Sequence, residues 1–290
     1  MKKLFTLLIL TITCFAFAQQ NAKGIKDNGV KQCGKCGVTA GRLKSPEIGV
    51  TAGLISPLGA TKTEAFVSNS TSGGVLFFMP IVSNFNDATT SGTSYGLNTS
   101  FGFFAGSRAF ESSIFKPINI VGQTQAPQLT VSNDQKNNGF VFELGPQANF
   151  YFGNFSISPI LNVGFMSLKQ SEVSVWQKSV LGNATAETYN YYAYKMSESK
   201  SSGLAIIPKI RFGYNYRNYG FWLEGSYLKG PKIISEITTL TPDGSPNQSG
   251  QYTVQQLQLA KFATAKTETN FNAVGLNFGV TYSFNYFDKN

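Results

Sequence analysis

Histidine is missing from all 290 residues of this chain. Its absence removes Ser-His-Asp triads, histidine-ligated zinc and the usual general bases of lipid hydrolysis. Charge is scarce as well, at 13% of residues, where soluble globular domains carry about a quarter. No Gly-x-x-x-x-Gly-Lys-Ser/Thr loop occurs, so nucleotide phosphates have no cradle of the P-loop kind. Past the first 18 residues there is no run near the ~18 apolar residues that a membrane-spanning helix needs. The longest, Val75 to Val82, is less than half that and contains Pro80. Cysteines number only three.

What the chain has instead is aromatic side chains and glycine: 25 Phe, 13 Tyr and 29 Gly. That balance fits an all-β chain whose outer surface meets something apolar. Lys2 and Lys3 precede an apolar run from Leu4 to Phe17, and Ala16-Phe17-Ala18 is a small-x-small cleavage pattern. Residues 1–18 therefore read as a secretory signal peptide, with the mature chain starting near Gln19. A lipoprotein reading of Cys14 fits less well, because Thr11, Ile12 and Thr13 lack the small residue such signals place before the cysteine. The formal charge of +9 falls to +7 with the loss of Lys2 and Lys3. For an exported chain this basic balance points to anionic lipid head groups or to solubility, and not to nucleic acid.

The mature chain alternates. In FVFELGPQANFYF, residues Phe140, Phe142, Leu144, Pro146, Ala148, Phe150 and Phe152 share one face, opposite Val141, Glu143, Gly145, Gln147, Asn149 and Tyr151. Period two over so long a run predicts a strand with one apolar and one polar side. Gly153-Asn154 turns the chain tightly into Phe155–Leu168, which alternates in the same way. Leu204–Arg217 and Phe221–Ile234 predict a second long hairpin, and Phe271–Tyr286 a closing strand. Pro146 and Pro208 fall on apolar faces, where a missing N–H is awkward for paired strands.

Strand length decides between a sandwich and a barrel. Globular strands run about 5 or 6 residues, transmembrane strands about 9 to 11 at a tilt, and these run 10 to 16. Glu143, Lys209, Arg211 and Glu224 sit on the polar faces, while Phe and Tyr crowd the apolar ones. Polar inside and aromatic outside is the arrangement of a transmembrane antiparallel up-and-down β-barrel. Adding Glu47–Ile55, Gly74–Phe85 and Tyr95–Ser107 brings the count to eight strands, with ten as the alternative. Connections 56–73, 108–139, 169–203 and 235–270 are long and rich in Ser, Thr, Asn, Gln and Gly, whereas 86–94, 153–154 and 218–220 are short. Short periplasmic turns opposite long extracellular loops is the topology expected of such a barrel. The chain thus divides into a signal peptide (1–18), a periplasmic N-terminal segment (19–45) and a barrel (46–287).

The stretch NFGVTYSF near the end places Asn277, Gly279, Tyr282 and Phe284 in a polar-x-Gly-x-x-aromatic-x-aromatic pattern. This resembles the terminal insertion-signal strand of bacterial outer-membrane proteins. Together with the leader, strand count and loop alternation, it makes the whole mature chain similar to the small outer-membrane β-barrel family, of the OmpA/OmpX-like type. The resemblance implies residence in the outer membrane of a Gram-negative bacterium. It also implies contact with its lipid and lipopolysaccharide, insertion by the barrel-assembly machinery, and no peptidoglycan-binding domain. One departure is that Asp288, Lys289 and Asn290 follow Phe287, where many relatives end on the aromatic residue.

Chemistry is sparse on this scaffold. Glu143, Lys209, Arg211 and Glu224 are candidates for a lumen charge network, because carboxylates in a narrow barrel need cationic partners. An acid/base role for them is the less favoured reading, and no catalytic, cofactor or metal site is expected. An eight-stranded lumen is filled by side chains and should not pass solutes freely. Cys33-Gly-Lys-Cys36 precedes the first strand. In an oxidising compartment the pair makes a small disulfide, shares a metal with another chain, or works as a redox couple. A structural or binding role through the long loops leads, since function on rigid scaffolds concentrates in loops. A transport or secretion component is the alternative, and a lipid-active enzyme ranks below both.

Overall fold

The computed structural model describes residues 45–86, 91–108, 116–131, 135–182, 187–216 and 218–284. In chain order the strands are β1 (Glu47–Pro57), β2 (Val67–Asn86), β3 (Ser91–Arg108), β4 (Gln128–Val131), β5 (Lys136–Phe152), β6 (Phe155–Gln170), β7 (Val173–Leu181), β8 (Glu187–Met196), β9 (Ser199–Tyr216), β10 (Tyr219–Thr241) and β11 (Lys261–Ser283). Two short helices, α1 (Ala60–Thr63) and α2 (Val254–Gln258), lie in connections. Eight strands pair antiparallel in the order β11-β1-β2-β3-β5-β6-β9-β10, and β10 pairs with β11 to close the ring. The leader and the Cys33/Cys36 pair lie outside the described residues.

The period-two pattern sorts side chains to the two surfaces of this ring as expected. One outward residue from each barrel strand, Val50, Phe77, Phe101, Phe142, Phe165, Phe212, Leu223 and Phe278, is at least 40% exposed. A soluble protein does not leave such a continuous apolar belt in water, whereas hydrocarbon accepts it without cost. The molecule is therefore an eight-stranded transmembrane β-barrel. At its short-turn end Tyr214, Tyr216, Tyr219 and Tyr282 face outward, with the Tyr219 and Tyr282 rings 5.4 Å apart, as an interfacial aromatic girdle does.

The prolines are tolerated because each interrupts one ladder without shifting its register. Between β5 and β6 the pairs Leu144–Val163 and Gln147–Ile160 hold a single register while the positions around Pro146 drop out. Between β9 and β10 the same happens around Pro208, from Lys209–Ser226 to Ile206–Lys229. Pro80 instead sits at a bulge between β2 and β3, a usual refuge for a residue without an N–H.

Two expectations need correction. The lumen is not polar throughout: above its charged layer, Phe104, Val141, Met166, Leu168, Ile207, Leu228 and Phe271 join Ala65 of the β1–β2 connection and Val67, the first residue of β2, in a buried apolar cluster. In the sequence, aliphatic and small residues on the inner face carry no sign that they will meet. The extracellular connections are also not plain loops. β7 and β8 occupy most of 169–203, and β10 and β11 run 23 residues each, far into the expected 235–270 loop. Beyond the membrane Lys261–Lys266 are exposed on both faces, so no apolar period is needed and none is written in the sequence.

The extra strands form an extracellular sheet, β11-β10-β8-β7-β4, on top of the barrel wall. Its inner face carries its own core, with Phe66, Val173, Val175, Ala193, Tyr194 and Met196 buried together. Where β1 ends and β11 continues, α1 covers the exposed edge. Thr61 Oγ1 donates to the Asn270 carbonyl (3.0 Å) and accepts the Asn272 N–H (2.8 Å).

Candidate functional site

Three strands project four charges into the lumen at one level. Glu143 comes from β5, Lys209 and Arg211 from β9, and Glu224 from β10, where Arg211 and Glu224 are directly opposed across the ladder. Lys209 Nζ donates to Glu143 Oε1 at 2.5 Å and lies 3.7 Å from Glu224 Oε1. Arg211 presents Nε and Nη2 to Glu224 Oε2 at 3.1 and 2.7 Å. Two carboxylates thus meet two cations, and the buried layer is neutral as a whole, as desolvation demands.

Amides extend the network toward the short-turn end. Ser100 Oγ donates to Glu143 Oε1 (2.6 Å), and Asn162 Nδ2 donates to Glu143 Oε2 (3.2 Å) and Asn98 Oδ1 (2.9 Å). Asn98 Nδ2 donates to Gln147 Oε1 (2.9 Å), whose Nε2 donates to Asn149 Oδ1 (2.6 Å). Alternation alone marks Gln147, Asn149 and Asn162 only as polar-face residues. The pairing of β3, β5 and β6 makes them part of the network around Glu143.

The closing-strand residues also acquire lumen roles. Asn277 stands opposite Glu224 in the β10–β11 ladder and accepts a hydrogen bond from Ser72 Oγ at 2.9 Å. A Cβ on Gly279 would overlap the Trp222 indole, and that indole carries the Arg211 guanidinium 4.2 Å above its centroid. The glycine is thus the floor on which Trp222 lies, and Trp222 the plate on which Arg211 is held. Tyr282 and Phe284 face outward, their rings 5.5 Å apart.

Between the charges and the apolar cluster lies a cavity of about 60 Å³, bordered by Glu143, Lys209, Arg211, Glu224, Ile207 and Leu228. Small-molecule sites measure roughly 300 to 1,000 Å³, so this space suits a few waters and no metabolite. Among the described residues no group of His, Cys, Asp and Glu is arranged to hold a metal ion.

The extracellular sheet is tied down by side chains that the sequence does not single out. Arg108, at the end of β3, is 1% exposed, and its Nη1 donates to the carbonyls of Ser171 (2.9 Å) and Ser197 (2.8 Å). These carbonyls belong to the links that join the sheet to β6 and β9. Burial pulls the Arg108 guanidinium down to about 10, still charged at neutral pH. Gln177 clamps the segment before β4, accepting the Ile118 N–H (2.9 Å) and donating to the Ile118 carbonyl (2.6 Å). Tyr191 and Tyr194 donate from the same face to the carbonyls of Ile118 (3.2 Å) and Lys116 (2.5 Å). Burial pushes the Tyr191 phenol up to about 12.

No family model matches the chain, and no curated protein matches it. Among solved structures it is similar to Ail, the attachment invasion locus protein of Yersinia pestis. The identity is 12%, over 83% of this chain and 97% of that one, with a TM-score of 0.34. A major outer membrane protein of Thermus thermophilus is 9% identical over 82% of this chain and 99% of its own, also with a TM-score of 0.34. The transport unit of the autotransporter AIDA-I from Escherichia coli is 8% identical over 92% and 97%, with a TM-score of 0.29.

Proposed function

We propose that this chain is an outer-membrane barrel of a Gram-negative bacterium that acts without catalysis, presenting a rigid extracellular sheet to ligands or surfaces. The observation that carries this is the distribution of ordered structure. Five strands with their own buried core stand above the lipid-facing belt, while the lumen below is filled by an ion-pair layer and an apolar layer. A wall that rises past the membrane and a channel that leads nowhere suit display better than passage.

The finer placement, among OmpA/OmpX-like barrels exported by a cleaved leader, is supported by the eight-strand ring and the Asn277-to-Phe284 pattern. In that setting the belt contacts lipid and lipopolysaccharide, and the closing strand engages the insertion machinery during biogenesis. Glu143 and Glu224 serve as structural partners of Lys209 and Arg211.

The test is removal of the β7–β8 hairpin, residues 172–197, from the full-length protein produced in bacteria. The shortened protein should still fractionate with the outer membrane and still change gel mobility on boiling, since the ring is untouched. Its cells should lose binding to immobilised matrix proteins and glycans that cells with the full protein retain. Steady conductance in a planar bilayer would overturn display in favour of transport. Lipid turnover abolished by Glu143→Ala or Glu224→Ala would overturn it in favour of an enzyme.

A further inference from the structure

β10 and β11 leave the bilayer as one ribbon. The only register shift between them, at Lys229/Lys232, is an extra residue on β10, so β11 continues without a break from Phe278 up to Phe262. The even-numbered face that meets lipid at Phe278, Leu276 and Val274 is therefore the face that carries Phe262 above the membrane. The opposite face of the sheet is occupied, because it packs Val173, Val175 and Met196 against Phe66. Among the described residues nothing packs on the outer face.

Three rings form a row on it. Phe262, 57% exposed, meets Tyr192 of β8 with centroids 6.0 Å apart, and Tyr192 meets Trp176 of β7, 48% exposed, at 5.2 Å. Both contacts are edge-to-face, which locks the rings to one another. Most of the charge on this face is paired within the sheet, Lys178 excepted. Lys195 pairs with Glu172 (2.8 Å), Lys266 with Glu236 (2.6 Å) and Lys232 with Glu268 (3.3 Å). Beside the rings stand hydroxyls and an amide. Thr130 is opposite Trp176, Asn190 is opposite the exposed Lys178, and Thr238 and Thr264 share a 3.0 Å hydrogen bond.

A pre-ordered aromatic row bordered by hydroxyls, an amide and the ammonium of Lys178 matches the chemistry of a sugar, whose C–H face packs on a ring while its hydroxyls find partners around the rim. The direction of the face selects the source. As an extension of the lipid-facing wall, it looks sideways along the membrane and not away from the cell. The chains it meets there are those of glycolipids anchored in the same leaflet. We propose that Trp176, Tyr192 and Phe262 form a lateral platform for the saccharide chain of an outer-leaflet glycolipid, holding the extracellular sheet upright against it. This inference rests on the outer-membrane reading above and names one partner of that same extracellular sheet.

The chain has two tryptophans, and Trp222 is buried in the lumen, so Trp222→Phe leaves Trp176 as the reporter. Full-length Trp222→Phe protein, checked for its heat-dependent mobility shift, is placed in phosphatidylcholine nanodiscs of three kinds. One contains no glycolipid, one the complete glycolipid of the producing bacterium, and one the same glycolipid stripped of its saccharide chain. Acrylamide quenching of Trp176 should fall roughly threefold in the complete-glycolipid discs alone, and adding Phe262→Ala should return it to the glycolipid-free value.

Equal quenching in all three discs by a heat-shifting protein would overturn the platform and leave the outer-membrane reading standing. Protection by the stripped glycolipid as strong as by the complete one would overturn it too, by assigning the contact to acyl or phosphate groups. So would equal protection by released saccharide added to glycolipid-free discs, which would make the ligand a free glycan. A protein that shows no heat shift and fractionates as soluble would instead fail the outer-membrane reading itself.

Discussion

Glu224 receives two donors of Arg211 on one carboxylate oxygen and has Lys209 near the other. Removing its charge leaves a guanidinium unpaired in a buried layer, which costs far more than the pair itself contributes. Glu224→Gln should lower the stability of the folded barrel by about 3 kcal/mol, read as the urea concentration at which the heat-shifted gel form disappears. Arg211→Met together with Glu224→Met should recover most of that loss, because neither charge is then stranded. Gly279→Ala should also destabilise, by about 1 to 3 kcal/mol in the same assay, since its new Cβ meets the Trp222 ring. The four charged residues of this layer are legible in the sequence, because a charge on an otherwise alternating strand is conspicuous. The roles of Trp222 and the amides Asn98, Asn162 and Gln147 are not, because nothing local distinguishes a spacer from a partner.

At the scale of elements, the extracellular sheet depends on tyrosine hydroxyls that donate to carbonyls of the segment before β4. The Tyr191 phenol lies at about 12 against an ordinary 10.0. The folded state therefore holds this proton more tightly than the unfolded one. Its contribution is complete below pH 10 and is lost as pH rises through 12. The protection of the β7 and β8 amides, measured relative to base-catalysed exchange of the unfolded chain, should fall over that window while that of the barrel strands holds, and Tyr191→Phe should remove the fall.

The same elements show where sequence reading stops. β5 and β6 announce themselves, since one face is lipid-exposed and the other packed, and the period survives in the residue types. β7 alternates too, but its buried positions include Gln177 and Ser179, so the period is written in polar residues. The ribbon of Lys261–Lys266 is exposed on both faces, and its pairing with β10 leaves no trace in hydropathy.

The whole molecule combines a closed ring with a lumen blocked twice, once by ion pairs and once by Met166, Leu168, Phe271 and their neighbours. Purified protein folded into a planar bilayer should show no steady conductance. Opening the ion-pair layer by Glu143→Ala with Lys209→Ala should leave it closed, because the apolar layer above remains. Sustained current in the double variant would mean that the ion pairs alone form the barrier.

That this chain is a barrel with its aromatic face to lipid is written in the order of its residues. That outcome follows from a period-two pattern of great length and from the scarcity of charge, both one-dimensional properties. The same order marks which carboxylates and cations share the lumen face. Tertiary structure alone decided that Glu143 of β5 reaches Lys209 of β9 past the intervening β6, that the upper lumen is sealed, and that the supposed loops stand as a sheet. Those features arise from contacts between residues far apart in the chain. Strand pairing sets such contacts through register and ring closure, which no local pattern of residues encodes.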